Sequence, residues 1–217
     1  MNVMDALCKN CGTAFRQLSG TMQICRECLR KGEDMKDIGI IELDIRNEIL
    51  LEKCAELYCN IWRESPWNED FWTAEGVIAD IKKEMQRKNA VGYLALKRRG
   101  MNEVVGFTWG YEVDTSDMRI ISGVHDWDAV FFTAKRMRKV FYVDDLGVDK
   151  AYRERGIARA ISVCLLDKAK ELGMEVVTLR TDKDAVPARI LYQKLGFKEL
   201  KITDAAHANR TYWIKEL

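Results

Sequence analysis

Residues 153–158 read Arg153-Glu154-Arg155-Gly156-Ile157-Ala158 and join a largely hydrophobic run, Val140 to Val148, to an amphipathic stretch. That stretch carries Ile157, Ile161, Leu165 and Leu172 on one helical face. At such a strand-to-helix turn the first backbone N–H groups of the helix have no carbonyl partner, and the helix dipole adds positive potential. Phosphate and pyrophosphate bind at sites of this kind. Gly156 and Ala158 keep the surface low enough for an extended anion to reach the backbone, while Arg153 and Arg155 add charge at the rim. No Gly-Lys-Ser/Thr follows and no Gly-x-Gly-x-x-Gly is present, which excludes a P-loop and a dinucleotide fingerprint. Taken alone, the turn is equally an ordinary helix start whose arginines face water.

A second constellation lies near the start of the chain. Cys8 and Cys11 form one Cys-x2-Cys pair and Cys25 and Cys28 another, separated by thirteen residues. In a reducing compartment two such pairs suit a tetrahedral Zn²⁺ better than disulfides, a redox dithiol or chance clustering being the alternative. Four thiolates leave no open position for substrate, so the expected role is structural. Cys54, Cys59 and Cys164 fall singly in helical patterns and read as core or half-buried residues.

The elements that must hold these groups follow from periodicity. With 217 residues and 47% hydrophobic side chains, the chain can form one large domain, or a medium domain with a small module. Its formal charge of +1 gives no overall pull toward nucleic acid or anionic lipid, and two prolines with no low-complexity tract argue against disorder. No apolar run approaches the roughly 20 residues of a membrane span, and the first ten residues lack signal-peptide features. A cytosolic protein is expected.

After a charged linker around residue 34, a strand is expected over 38–45, then a helix with Leu50, Cys54, Leu57 and Ile61 on one face. Pro66 breaks it, and Asp70 or Thr73 caps a second helix reaching about Lys88. Two strands joined through Gly100 make a hairpin, and residues 114–139 form an insertion with a helix near 128–138. The strand of the opening segment, a helix to about Leu172, a strand, a short helix over 188–194 and two final strands complete the order. This gives an α/β (α+β) fold, a mixed sheet flanked by helices, with an expected division into residues 1–36 and 37–217.

The segment VDKAYRERGIA resembles the signature turn of the GNAT N-acetyltransferase superfamily, Arg/Gln-x-x-Gly-x-Gly/Ala, carried here by Arg153, Gly156 and Ala158 after the strand DDLGV. ARILYQKLGFKEL is similar to the family's second hallmark, and PWNEDFWTAE to a segment of many bacterial members. The resemblance covers about residues 38–217. It implies a mostly antiparallel sheet and direct acetyl transfer from acetyl-CoA to a primary amine. The pyrophosphate would lie on Arg153, Glu154, Arg155, Gly156, Ile157 and Ala158, and the pantetheine arm along Leu146, Gly147 and Val148. An amide on that strand would polarise the thioester carbonyl.

Tyr192 stands where the family often has a proton-donating tyrosine, with an ordinary packed aromatic as the alternative. Asp144 and Asp145 are candidate bases, and strand alternation would place one on each face of the sheet. Glu69 and Glu112 are further candidates. The chain departs from the family at Ala185, where asparagine is common, so one pantetheine contact is in doubt. The acceptor site is expected from the first two helices and the insertion, with Trp67 and Trp72 either walling it or buried for packing. His125 and His207 read as surface residues.

A competing reading is a non-catalytic, acyl-CoA-binding regulator whose zinc module contacts nucleic acid or a protein partner through Lys9, Arg16, Arg26, Arg30 and Lys31. Glu27, Glu33 and Asp34 dilute that charge, and no aromatics interleave with it for base stacking. The module can also be a stabilising or dimerising appendage.

Overall fold

The computed structural model describes residues 3–7, 14–18, 35–98, 103–133 and 136–217. Cys8, Cys11, Cys25 and Cys28, the four expected zinc ligands, lie outside the described residues. The two N-terminal strands, β1 (Val3–Leu7) and β2 (Ala14–Leu18), pair antiparallel.

The helical periodicity after residue 46 resolves into two capped helices. Asn47 accepts from the Leu50 N–H and opens α1 (Glu48–Trp62), whose buried stripe includes Leu50, Cys54, Leu57, Tyr58 and Ile61. Thr73, rather than Asp70, caps α2 (Ala74–Glu84) by accepting from the Gly76 N–H. That helix stops four residues earlier than its pattern suggested, because only Val77 and Ile81 are buried and residues beyond Glu84 have no apolar stripe to hold. The strand before α1, β3 (Ile38–Glu42), is likewise shorter than expected.

Next come β4 (Val91–Lys97) and β5 (Val104–Val113), paired antiparallel as the hairpin pattern required. The insertion holds two short helices, α3 (Thr115–Ser122) and α4 (Asp128–Phe131). Of these, α3 was not expected from periodicity. It is set by a capping box in which Asp114 and Asp117 satisfy one another's backbone N–H groups. Strand β6 (Val140–Val148), a single 3-10 turn (Lys150–Tyr152), α5 (Ile157–Glu171), β7 (Val176–Asp182), α6 (Val186–Lys194), β8 (Lys198–Thr203) and β9 (Arg210–Glu216) follow.

The main sheet has seven strands in the order β3-β4-β5-β6-β7-β9-β8, and only β6 and β7 run parallel. On one face, α1 and α2 pack on Leu94, Phe107 and Trp109, while α3 and α4 pack on Tyr111, Val140 and Tyr142. On the other, α5 and α6 cover Phe141, Val143, Val177, Leu179 and Trp213. Full burial of each large side chain contributes about 1.5–3 kcal/mol, so this double coverage holds the central strands firmly. No helix among the described residues is long and apolar enough to cross a membrane.

Candidate active site

Two departures from regular pairing on β6 create the site. Toward β7, the parallel ladder runs only from Val140↔Val176 to Val143↔Leu179. From Asp144 to Val148 the strand keeps β5 on one side and has no β7 partner on the other. Strands that twist apart in this way leave backbone polar groups available at an open edge. The resulting cleft is lined by Val143 and Leu146 of β6, Ser162 and Leu165 of α5, Leu179 of β7, and Tyr192 of α6. A shallower hollow of about 310 Å³ adjoins it through Leu166 and Leu195, with Arg159, Lys170, Lys194 and Lys215 around it beside Asp167 and Glu216.

Toward β5, the second departure is a bulge. Trp109 pairs with Asp145 and the next residue, Gly110, pairs with Val143, so Asp144 is squeezed out of register. Gly110 makes the bulge possible: a Cβ there would lie 2.3 Å from the Tyr142 carbonyl oxygen and 2.6 Å from the Phe141 ring. The expectation that Asp144 and Asp145 point to opposite faces is therefore corrected. Their carboxylates, with that of Glu84 from the end of α2, lie within 4.8 Å of one another.

Each carboxylate is held differently. The Tyr111 hydroxyl donates to Asp144 at 2.8 Å, and Trp109 Nε1 donates to Glu84 at 2.7 Å. Asp145 accepts no side-chain hydrogen bond among the described residues. Burial, then the neighbouring Asp144 charge, pushes Glu84 up to about 8. Burial likewise raises Asp144, and it raises Asp145 well above the usual carboxylate range, reinforced by the charges of Asp144 and Glu84. Sequence reasoning missed Glu84, which sits among lysines in IKKEMQRK and reads as a solvated helix face; no local signal marks it.

At the far end of the cleft, the turn has the conformation an anion site needs. Glu154 and Gly156 take positive φ, 65° and 91°, and Gly156 caps α5 without a side-chain bond. Among the described residues nothing accepts from the N–H groups of Ile157, Ala158 and Arg159. The arginines are less free than the sequence implied. Arg153 donates to the Val148 carbonyl at 3.0 Å and pairs with Glu64 at 2.7 Å, binding the turn to β6 and to the end of α1. Arg155 lies over the Tyr152 ring at 4.9 Å, and the Tyr152 hydroxyl donates to Glu103.

Tyr192 lines the cleft and is buried against Phe197 and Trp213, and its hydroxyl has no hydrogen-bond partner among the described residues. Burial, with the Asp145 charge adding to it, raises its pKa, which keeps the proton on. The packed-aromatic alternative describes its ring contacts. Ala185, the departure from the family pattern, is buried just before α6.

The remaining candidates are held by other partners. Glu112 is tied to Lys88 and Asn89. Glu69 accepts from Trp72 Nε1 at 2.7 Å and from Arg210 at 3.1 Å, joining the α1–α2 connection to β9. Trp67 stacks on Trp62, and Trp62 on Tyr58 with ring centroids 4.2 Å apart. His125 and His207 are exposed, as expected.

Comparison with known proteins agrees with this geometry. Residues 51–197 match the model of the acetyltransferase (GNAT) family. A curated relative, the mycothiol acetyltransferase of Saccharomonospora viridis, is 29% identical over 142 residues, covering 63% of this chain. The chain spans only 41% of that protein's length. Among solved structures, an acetyltransferase from Streptococcus agalactiae superposes with a TM-score of 0.61 at 16% identity, over 84% of this chain and 99% of that one. NAA60 of Arabidopsis thaliana in complex with acetyl-CoA gives 0.58 at 18% identity, over 83% and 98%. The NatC complex bound to Gag peptide and CoA gives 0.60 at 18% identity, over 83% and 99%. At these identities the structures share the fold.

Proposed function

The chain belongs to the GNAT acetyltransferase family, and on that premise we propose that it transfers an acetyl group from acetyl-CoA directly to a primary amine. The observation that carries this reading is the parting of β6 from β7 after Val143, with the uncapped start of α5 at the end of the cleft it opens. The amides of Ile157, Ala158 and Arg159 receive the pyrophosphate, and Leu146, Gly147 and Val148 offer their open edge to the pantetheine arm. An N–H on that edge polarises the thioester carbonyl as charge develops on its oxygen.

In this reading Asp144 or Asp145, directly or through water, accepts the proton that the attacking nitrogen must lose. The nitrogen–carbon bond forms as the carbon–sulfur bond breaks, and Tyr192, held protonated, supplies a proton to the departing thiolate. Residues 37–217 form the acetyltransferase domain in this reading, and a cytoplasmic location fits the free thiols of Cys54, Cys59 and Cys164.

Calorimetric titration with acetyl-CoA, and with a pantetheine analogue lacking the pyrophosphate, tests the cofactor assignment. Binding that requires the pyrophosphate, followed by thiol release with an amine panel, is expected. Equal binding of both compounds, or of neither, refutes it.

We also propose that Cys8, Cys11, Cys25 and Cys28 hold one structural Zn²⁺. The support is their spacing and the antiparallel pair β1/β2, whose connection in the chain includes Cys8 and Cys11. Metal analysis of Cys8→Ser with Cys25→Ser should show the zinc gone, and retention of stoichiometric metal would refute the site. The same variant, tested for self-association and for nucleic-acid or protein partners, reports whether the module does more than stabilise.

A further inference from the structure

We propose that the Arg153–Glu64 ion pair is a latch that fixes the α1–α2 connection in the free protein, and that the pyrophosphate of acetyl-CoA releases it by drawing Arg153 away from Glu64. This rests on the acyl-transfer reading above and deepens it by giving that site a means of regulation, a connection that responds to the cofactor.

The first support is where Arg153 stands. Its Nε donates to the Val148 carbonyl at 3.0 Å and its Nη1 pairs with Glu64 at 2.7 Å. The guanidinium therefore lies between the last residue of β6 and the end of α1, three positions ahead of the glycine that opens α5. Nη2 has no partner among the described residues, and the side chain is 40% exposed, so an anion at the turn reaches it directly. A diphosphate carries more charge than one carboxylate and presents several acceptors to the fork, which makes it the stronger claimant.

The second support is what Glu64 holds. Its N–H donates to the Ile61 carbonyl at 3.1 Å, and its own carbonyl accepts from the Asn68 N–H at 3.0 Å. The Glu69 N–H donates to the Trp62 carbonyl at 2.8 Å. Glu64 is thus the root of a tight reversal, closed by Asn68 at φ 53°, that lays Trp67 against Trp62. The far side of the reversal is tied separately, by Glu69 to Arg210 of β9, and that tie does not involve the turn. The end of α1 also bears on β6: a Cβ on Gly147 would lie 2.8 Å from Ile61 Cδ1. One helix end therefore touches both the proposed pantetheine strand and the proposed pyrophosphate turn.

No other cation substitutes for Arg153. Glu64 forms no second ion pair among the described residues. Arg155 is laid over the Tyr152 ring, and Lys97 pairs with Glu103. At 40% and 31% exposure the Arg153–Glu64 pair is weak enough for a polyanion to break. By linkage, a contact that the cofactor must break opposes the cofactor by the same factor that it stabilises the free protein.

The test is calorimetric titration with acetyl-CoA of the parent, Glu64→Gln, Arg153→Gln and the double variant; glutamine is the other residue the family turn allows at 153. Glu64→Gln should bind acetyl-CoA about two- to fivefold more tightly than the parent, the range of an exposed ion pair. The same change in the Arg153→Gln background should have no effect, because the opposition runs through Arg153. Unchanged or weaker binding by Glu64→Gln overturns the proposal, as does equal tightening in both backgrounds, which would be repulsion through space. The connection is read from the emission of Trp67, taken as the difference between each protein and its Trp67→Phe counterpart. Acetyl-CoA should change that emission in the parent, and Glu64→Gln should show the changed emission before acetyl-CoA is added. Trp67 emission indifferent to acetyl-CoA overturns the latch while leaving the cofactor site intact. Absence of acetyl-CoA binding to parent and Glu64→Gln alike instead refutes the acyl-transfer reading itself.

Discussion

Asp144 and Asp145 are neighbours on one strand, yet each places a carboxylate oxygen within 4.8 Å of the other and of Glu84. Regular alternation would have separated them by the thickness of the sheet. The bulge opposite Gly110 removes that separation, and Gly110 permits the bulge because its missing Cβ leaves room for the Tyr142 carbonyl.

Gly110→Ala should accordingly cost about 1–3 kcal/mol of stability, the usual range for overpacking. It should also lower kcat, because restoring room on β5 requires β6 to move at the bulge. Urea unfolding and steady-state kinetics check this. A variant with both unchanged would show that the carboxylates converge without the close approach.

The raised Glu84 pKa makes stability depend on pH in a stated direction. Between its ordinary value of 4.5 and about 8, the folded protein keeps a proton that the unfolded chain has lost. The folded state then binds more protons, so unfolding free energy falls as pH rises through that window. Thermal unfolding at several pH values should show the decline, and Glu84→Gln, which cannot ionise, should flatten it.

At the turn, Gly156 has φ of 91°, where a side chain costs about 1–2 kcal/mol. Gly156→Ala should therefore lose stability by that amount and weaken acetyl-CoA binding. Gly156→Glu should lose the same stability and abolish binding, since it adds a negative charge where the pyrophosphate is received. Calorimetry with acetyl-CoA beside unfolding curves separates the two effects.

Tyr192→Phe keeps the ring contacts with Phe197 and Trp213 and removes the phenol hydroxyl from the cleft. If that hydroxyl protonates the thiolate, kcat should fall about 100-fold with acetyl-CoA affinity unchanged. A variant as active as the parent would leave Tyr192 as packing alone.

The Arg210–Glu69 pair, each side chain 17% exposed, ties the tryptophan-bearing connection to β9. Arg210→Ala should loosen that wall and raise the acceptor KM about fivefold, the equivalent of about 1 kcal/mol. Acetyl-CoA binding, proposed at the start of α5 and the open edge of β6, should not change.

Much of this was legible in the chain itself. Local features mark themselves locally: the caps at Asn47 and Thr73, the alternation of β4 and β5, and the glycine and arginines of the turn all depend on residues within a few positions of one another. The family resemblance added the expectation of a mostly antiparallel sheet, which the seven strands have. What only the tertiary structure decided are the relationships between elements distant in sequence. Whether Arg153 faces an anion or grips Glu64 depends on where the end of α1 comes to rest. Whether two adjacent aspartates diverge or converge depends on one displaced residue in a ladder with β5, and the third carboxylate arrives from a helix about sixty residues earlier in the chain. Register and packing set these distances. They are properties of pairs of surfaces, and no single stretch of sequence contains them.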